Sequence, residues 1–189
     1  MRTTVSAPLY MRAMGASWNQ LAESVRCLHG TGSIVHAQGR LRIEHGRHHG
    51  VRFLAAVLRL PRPSAAAHTR LTVLRRANGE HWQRTFNTRR LDTWQYDADP
   101  SDLAERFGLF EFRFRLAECD GSLVYVQREA AFRLRSVRLP IPAWCAPRVE
   151  AQEDPVDATR VRVEVRVVLP VVGLLIAYDG VIDVEDTRA

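Results

Sequence analysis

The segment from Trp82 to Phe86 places two aromatic side chains on either side of Arg84, at alternate positions. Alternate residues of a β-strand share one face, so these three side chains point the same way. An arginine beside aromatic rings forms cation–π contacts. Two interpretations stay open. In the functional one, Arg84 anchors the acidic group of a ligand inside a barrel. In the structural one, which is the more common, Arg84 lies across aromatic surface and pairs with a nearby carboxylate.

A second concentration of reactive side chains is the histidine-rich segment with His45, His48 and His49. Zinc takes three or four ligands in tetrahedral geometry, usually with a thiolate or carboxylate among them. Arg47 lies inside this segment and Glu44 is its only nearby carboxylate, so we expect a surface turn there. The sequence contains no nucleophile elbow and no dinucleotide-binding glycine pattern. We therefore expect no catalytic nucleophile, no bound metal and no cofactor.

The charged residues exclude several classes of protein. All 27 basic residues are arginine, against 21 acidic residues, and the net charge is +6. Without lysine, Schiff-base catalysis and the lysine-containing phosphate-binding loop are excluded. Residues 1–90 have a formal charge of +12 and residues 91–189 of −6. This asymmetry is typical of nucleic-acid or membrane faces, and also of two halves paired in one sheet. No recognised nucleic-acid-binding module occurs, so nucleic acid is not expected as a partner.

The sequence predicts a cytoplasmic protein. Residues 1–15 lack the apolar core of a signal peptide. The longest apolar stretch, residues 169–178, is about half the length needed to cross a bilayer. Cys27, Cys119 and Cys145 are far apart and odd in number, which favours buried free thiols in a reducing compartment.

Apolar spacing predicts two short helices before most of the strands. The first has Ser17 as its N-cap and ends at Gly30. Its apolar stripe consists of Trp18, Leu21, Val25 and Leu28. The second spans residues 51–60 and is amphipathic. Its apolar stripe consists of Phe53, Leu54, Val57 and Leu58.

The rest of the chain has the period of two that indicates antiparallel strands. Turn signals at Asn78-Gly79, Asp120-Gly121 and Asp154-Pro155 each join two strands into a hairpin. A sheet of this size must curl or close. We therefore predict an α+β, mainly antiparallel β fold: a strongly curved sheet or barrel-like meander of about eight to nine strands. One domain is expected over residues 17–184, with tails at 1–16 and 185–189, and helix 51–60 is placed to cover one mouth.

Several short signatures occur in a fixed order between residues 17 and 182. They are Leu28-His29, Gly39, Trp82-x-Arg84-x-Phe86, Leu139-Pro140-Ile141-Pro142, Ala146-Pro147-Arg148, Leu169-Pro170 with Gly173, and Tyr178-x-Gly180. In order and spacing the chain resembles the bacterial family called domain of unknown function 4166. In that family the domain occurs alone or attached to a dehydrogenase-like domain resembling saccharopine dehydrogenase. The resemblance thus implies a dehydrogenase-like partner, but no activity and no cofactor.

The sequence leaves three hypotheses of function open. The leading one is a non-enzymatic domain that binds a hydrophobic or lipid-like small molecule inside the barrel. Its candidate ligand-binding residues are His29, Trp82, Arg84, Phe86, Glu153 and Tyr178. The second is an enzyme acting on a small hydrophobic substrate, which requires several of these polar groups to meet in one pocket. The third is a peripheral membrane or partner-binding module that uses the arginine-rich first half and helix 51–60.

Overall fold

A computed structural model describes residues 7–30, 32–99 and 101–185. Within them, the α-helices are α1 (Leu9–Met14), α2 (Glu23–His29) and α3 (His49–Val57), and Gly15–Gln20 is a 3₁₀ helix. The strands are β1 (Ile34–Glu44), β2 (Ser64–Arg76), β3 (Gly79–Phe86), β4 (Arg89–Asp99), β5 (Asp102–Phe107), β6 (Phe110–Cys119), β7 (Ser122–Leu134), β8 (Val137–Pro140), β9 (Arg148–Pro155), β10 (Arg160–Leu169) and β11 (Gly173–Glu185). Residues 1–6 and 186–189 of the expected tails lie outside the described residues.

Ten of the strands close into an antiparallel barrel. Their order around the barrel follows the chain from β1 to β7, continues with β9, β10 and β11, and closes where β11 pairs with β1. β8 pairs with β7 and lies outside this ring. Closure removes the open edges of a flat sheet. The prediction of a mainly antiparallel, barrel-like fold is confirmed. The predicted numbers of eight to nine strands and two helices are too low, because the described residues contain eleven strands and three α-helices.

β4, β5 and β8 are strands that neither the three turn signals nor a regular apolar alternation indicates. Along β4 the residues that line the interior are Leu91, Thr93 and Gln95, so polar side chains interrupt the apolar period. β5 has two consecutive buried residues, Leu103 and Ala104, which hide its alternation. β8 is a short strand on the outside. Polar groups inside the barrel are thus one physical reason for the undercount.

The predicted first helix is split into the 3₁₀ helix and α2. Leu21 and Ala22 have extended backbone angles, and the Ala22 N–H donates to the carbonyl of Gly121 at 2.9 Å. This hydrogen bond ties the chain to the β6–β7 turn and interrupts the helix. Ser17 therefore lies within the 3₁₀ helix and is not an N-cap. The predicted apolar stripe still packs inward, because all four of its residues are buried.

The helix that the prediction lacks is α1, in the segment expected as an N-terminal tail. Its buried residues are Leu9, Tyr10, Ala13 and Met14. α1 packs against β4, β5 and β6, and α2 packs against β9, β10 and β11. The two helices together close one end of the barrel, which we call the floor.

α3 lies across the opposite end of the barrel, which we call the mouth. The α3-side residues that are buried or line the interior are Val51, Leu54, Ala55, Leu58 and Leu60. Phe53 and Val57, which the sequence places on the same apolar stripe as Leu54, instead face solvent with exposed fractions of 73% and 59%. The helix is therefore apolar on its inner face and on part of its outer face.

Two glycines allow β1 and β11 to approach closely. A Cβ atom on Gly39 would lie 2.1 Å from the carbonyl oxygen of Val181, and one on Gly180 would lie 2.3 Å from that of Arg40. Both oxygens belong to backbone, so neither can move aside without disturbing the paired strands. The close approach of the two strands explains why glycine occupies positions 39 and 180 of the sequence signatures.

The pairing of β7 with β9 is the shortest in the barrel, and we call it the β7–β9 seam. Within the described residues, only 123–125 of β7 pair with β9, and the end of β7 pairs with β8. Next to this short ladder, the side chain of Gln127 accepts from the N–H of Val149 at 2.6 Å and donates to the carbonyl of Pro147 at 2.9 Å. One amide side chain thus extends the connection beyond the backbone ladder.

A buried carboxylate fixes β8 to the barrel. Glu111 on β6 is 1% exposed and accepts from the hydroxyl of Tyr96, from Arg133 at 2.6 Å and from Arg138 of β8 at 2.7 Å. Burial acts to raise the pKa of Glu111, but these hydrogen bonds lower it by more, to about 2. Burial, with the bond to Glu111, raises the pKa of Tyr96 to about 12.

Replacing Glu111 by glutamine is expected to destabilise the fold by about 1–3 kcal/mol at neutral pH, because Arg133 loses its charged partner and Arg138 loses one of two. The folded-state pKa lies below the ordinary value of 4.5. The carboxylate therefore stabilises the fold fully above that value and loses its contribution as the pH falls toward 2. Denaturant titrations of both proteins between neutral and acid pH measure the difference, which should shrink below pH 4.5. A difference that persists unchanged at low pH contradicts this role.

Candidate functional site

The barrel encloses a cavity of about 170 Å³ between the floor and α3. Most of its wall is apolar, and Val163, Val165 and Val167 of β10 contribute the alternation that the sequence predicts for that strand. Its polar lining includes Arg84, Thr93, Glu105, Tyr125, Glu153 and Tyr178. An apolar wall with a few placed polar groups is typical of sites for small molecules.

Arg84 on β3 points into the barrel beside Trp82. Its guanidinium carbon is 5.0 Å from the centroid of the Trp82 ring. Its Nη1 donates to the hydroxyl of Thr93 at 2.9 Å and lies 3.6 Å from Oε1 of Glu105. Burial acts to lower the pKa of Arg84, but the nearby Tyr178 and Glu105 raise it by more, so its net shift is upward. Arg84 therefore stacks on an aromatic ring and pairs with a carboxylate while it lines the cavity.

Tyr178 on β11 is the second polar group in the middle of the cavity. Its ring centroid is 5.3 Å from that of Phe86, the third residue of the Trp82-to-Phe86 pattern. Burial raises the pKa of Tyr178, against the opposing charge of Arg84, so the phenol is neutral at neutral pH. Within the described residues its hydroxyl has no hydrogen-bond partner, although the residue lines the cavity. This hydroxyl is a donor that remains available to a bound molecule.

The floor contains a chain of polar contacts through two phenols and one carboxylate, which we call the floor chain. The Tyr10 hydroxyl donates to Oε1 of Gln95 at 2.7 Å and lies 2.9 Å from the hydroxyl of Tyr125. Tyr125 donates to Oε1 of Glu153 at 3.0 Å, and Oε2 of Glu153 is 2.6 Å from Nε2 of His29. Burial, followed by the charge of Glu153, raises the pKa of both phenols well above the ordinary value, so they are neutral donors.

His29 is fully buried at the end of α2 and lies between aromatic rings. Its ring centroid is 3.7 Å from that of Tyr10 and 5.3 Å from that of Trp82. Nδ1 has no hydrogen-bond partner in the described part of the chain, whereas Nε2 faces Glu153. The proton of a neutral imidazole is therefore held on Nε2, toward the carboxylate.

A further carboxylate, Glu80, fixes Trp82 above the floor. Its Oε2 accepts from the indole N–H of Trp82 at 3.1 Å, and its Oε1 accepts from Nε of Arg75 at 3.1 Å. Arg75 also donates to the carbonyl of Leu28 at 3.0 Å. Glu80 is 2% exposed, and its two partners satisfy both of its oxygens. The end of α2, Trp82 and β2 are thereby held together.

The structure brings all six candidate residues of the sequence into this region. The cavity is lined by Trp82, Arg84, Phe86, Glu153 and Tyr178, and His29 lies beneath it in contact with Glu153. Their part in binding a ligand stays a prediction.

Sequence reasoning missed several polar members of the site. They are Tyr10, Thr93, Gln95, Glu105 and Tyr125. Thr93 and Gln95 lie on β4 and Glu105 lies on β5, which are strands that the apolar pattern does not indicate. Tyr10 precedes the predicted domain. Only Tyr125 has a usable signal, because it continues the inward alternation from Leu123 along β7.

The histidine-rich segment has a structural role at the start of α3. Nδ1 of His48 accepts from the backbone N–H of Gly50 at 3.0 Å and so caps the helix. Among residues 7–30, 32–99 and 101–185, no three His, Cys, Asp or Glu side chains are grouped to hold a metal ion. Cys27, Cys119 and Cys145 form no disulfide within the described residues, but Cys27 and Cys119 are exposed, where the sequence predicts buried thiols.

Fold and site together define the protein as a closed, up-and-down antiparallel barrel with a mostly apolar cavity and a few buried polar side chains. Residues 21–182 match the family model described as Domain of unknown function (DUF4166). The match covers most of the chain, so the protein belongs to this family and the resemblance is confirmed. No curated protein and no solved structure matches it. None of the helices described is long and apolar enough to span a bilayer.

The floor chain generates a prediction about stability. Replacing Tyr10 by phenylalanine removes a hydroxyl that contacts both Gln95 and Tyr125, so we expect a loss of about 1–3 kcal/mol in the free energy of unfolding. Tyr178→Phe is the matched control, because its hydroxyl has no partner within the described residues, and it should cost less than about 0.5 kcal/mol. Denaturant titration measures both. Equal losses would show that the floor chain adds nothing specific to stability.

Proposed function

We propose that the barrel binds a small, mostly apolar molecule in its interior, with one neutral polar group directed at Arg84 and Tyr178. The observation that carries this proposal is an apolar cavity containing hydrogen-bond donors that the fold leaves unused. Closed up-and-down barrels commonly enclose ligands, because their inward side chains leave space as the strand number rises.

The size of the cavity limits the ligand. Its volume of about 170 Å³ is close to that of an apolar cavity of roughly 150 Å³ that binds benzene in another protein. A single ring or a short alkyl chain therefore fits. A hydrophobic or lipid-like molecule with a longer tail, such as a ten-carbon alcohol, has to extend past α3 at the mouth.

The charges inside the barrel favour a neutral head group over the acid group expected from the sequence. Glu105 already lies beside Arg84, and Glu153 adds a second carboxylate to the wall. A ligand carboxylate would bring a third negative group near one cation, which repulsion in a buried site disfavours. A hydroxyl, ketone or ester oxygen accepts from Tyr178 and from an N–H of Arg84 without that cost.

The test compares decanol with decanoate, which differ in the head group. Native mass spectrometry and displacement of an uncharged fluorescent dye measure the binding of each ligand. We expect the protein to bind decanol at least about tenfold more tightly, which corresponds to one unfavourable contact of about 1.4 kcal/mol. A purified protein that takes up neither ligand and no dye overturns the proposal.

Two variants test whether the head group lies at Arg84 and Tyr178. Glu105→Gln leaves the charge of Arg84 unbalanced, so the affinity for decanoate should rise by about tenfold while that for decanol changes little. Tyr178→Phe should weaken decanol by a factor of about five through loss of one donor. Glu164→Gln removes the same charge from the exposed outer face of β10 and is the matched control. If both Glu variants respond alike, the head group does not lie at Arg84.

A second candidate function is an enzyme that acts on the same kind of ligand. It is favoured by the contact of Glu153 with both His29 and Tyr125, because groups so placed can transfer a proton. The test follows the mass and isomeric form of copurifying ligands during incubation with the wild type and with Glu153→Gln. Conversion by the wild type alone supports an enzyme, and a ligand unchanged by both proteins excludes it.

A further inference from the structure

The mouth is framed by two connections that lie against each other. They are residues 45–63, which contain α3, and residues 170–172, which form the β10–β11 turn; we call them the mouth rim. The N–H of Gly46 donates to the carbonyl of Leu174 at 3.0 Å, and α3 packs against β11. The two connections therefore form one continuous surface at this end of the barrel.

Large apolar side chains of the mouth rim face solvent. Phe53 and Val57 are one helical turn apart on the outer side of α3, and Val171 at the tip of the turn is fully exposed. Apolar groups concentrated in this way mark an interaction surface.

Val171 also has an unfavourable backbone conformation. Its φ is +68°, in a region that a β-branched residue rarely adopts and that glycine or asparagine adopts readily. Valine is unfavourable at this position for two reasons: its backbone conformation is strained, and its apolar side chain is exposed to water. The exposed side chain of Val171 is therefore suited to an apolar contact with a binding partner.

The charge of the mouth rim has one sign. Its arginines are Arg47, Arg52, Arg59 and Arg62, all exposed, and its sequence contains no Asp or Glu. Within the described residues none of the four forms an ion pair. The strand connections at the floor, by contrast, contain Asp120 and Asp157 and no arginine. The mouth end of the molecule is thus complementary to a negative surface.

We propose that the mouth rim docks on an anionic lipid bilayer, with Phe53, Val57 and Val171 entering the head-group region and the four arginines contacting lipid phosphates. Apolar groups flanked by arginine are the pattern of interfacial binding. These apolar groups come from separate segments and face solvent beside the arginines, which suits insertion among the head groups of a fluid bilayer.

Docking in this orientation places α3 between the bilayer and the cavity. Leu54 and Leu58 line the cavity on one side of the helix, while Phe53 and Val57 lie on the other. A ligand of the proposed kind would then pass between bilayer and barrel with little exposure to water. This passage rests on the proposed function, whereas docking does not, and loss of docking would leave decanol binding in solution intact.

The experiment is co-sedimentation with vesicles of phosphatidylcholine alone and of phosphatidylcholine with phosphatidylserine. We expect binding to the phosphatidylserine vesicles at low salt, weakening as salt screens the arginines. Arg52→Gln with Arg62→Gln should reduce the affinity by about tenfold or more. The matched charge control is Arg40→Gln with Arg70→Gln, on the exposed outer wall of β1 and β2, and should change it less than about twofold.

A second pair of variants tests insertion. Phe53→Ser with Val171→Ser should reduce vesicle binding by about tenfold, whereas Val126→Ser with Val156→Ser, which are exposed away from the mouth rim, should leave it unchanged. Circular dichroism establishes that each variant is folded. The proposal is overturned by absence of binding to phosphatidylserine vesicles at low salt, or by equal losses from rim and control pairs. A concentration-dependent dimer that the Phe53/Val171 pair abolishes, without vesicle binding, would assign the surface to a second copy of the chain.

Discussion

A closed ring of ten strands encloses more space than its own inward side chains fill, and the rest of the structure depends on how that space is closed. Eight strands already give an interior that side chains just fill or that holds one small ligand. Here α1 and α2 close the floor with Tyr10 and His29, and α3 lies over the mouth. The cavity is the volume that these three helices leave unfilled.

The floor can be closed by Tyr10, His29 and Tyr125 because each of these three side chains has a hydrogen-bond partner inside the barrel. Glu153 is held by Tyr125 and His29, while Arg75 and Arg84 each lie beside a buried or half-buried glutamate. Buried charge is tolerated when it is paired in this way. The charged side chains that can contact a binding partner therefore lie on the outer surface. They include the arginines around α3, which contribute to the positive charge of residues 1–90.

The parts of the fold that the sequence predicts are those governed by local rules. The Asp120-Gly121 turn joins β6 to β7, and the alternation of Trp82, Arg84 and Phe86 puts all three in the cavity wall. The parts it does not predict depend on distant contacts. Along β4, Thr93 and Gln95 point inward, and their hydrogen bonds come from the distant residues Arg84 and Tyr10. Tyr10 itself lies on a six-residue helix, and this helix is buried by packing against barrel strands that lie much further along the sequence.

The β7–β9 seam determines where the barrel is expected to unfold locally. Proteins open locally where few backbone hydrogen bonds have to break together. In this wall, the connection between two otherwise well-paired halves of the sheet consists of the short ladder at 123–125, the hydrogen bond from Tyr125 to Glu153 and the amide of Gln127. Amide hydrogens on either side of the seam should therefore exchange with solvent before those of β1 and β2, whose shared ladder is long. The barrel wall is therefore continuous in the native state, but local unfolding is expected to begin at the β7–β9 seam.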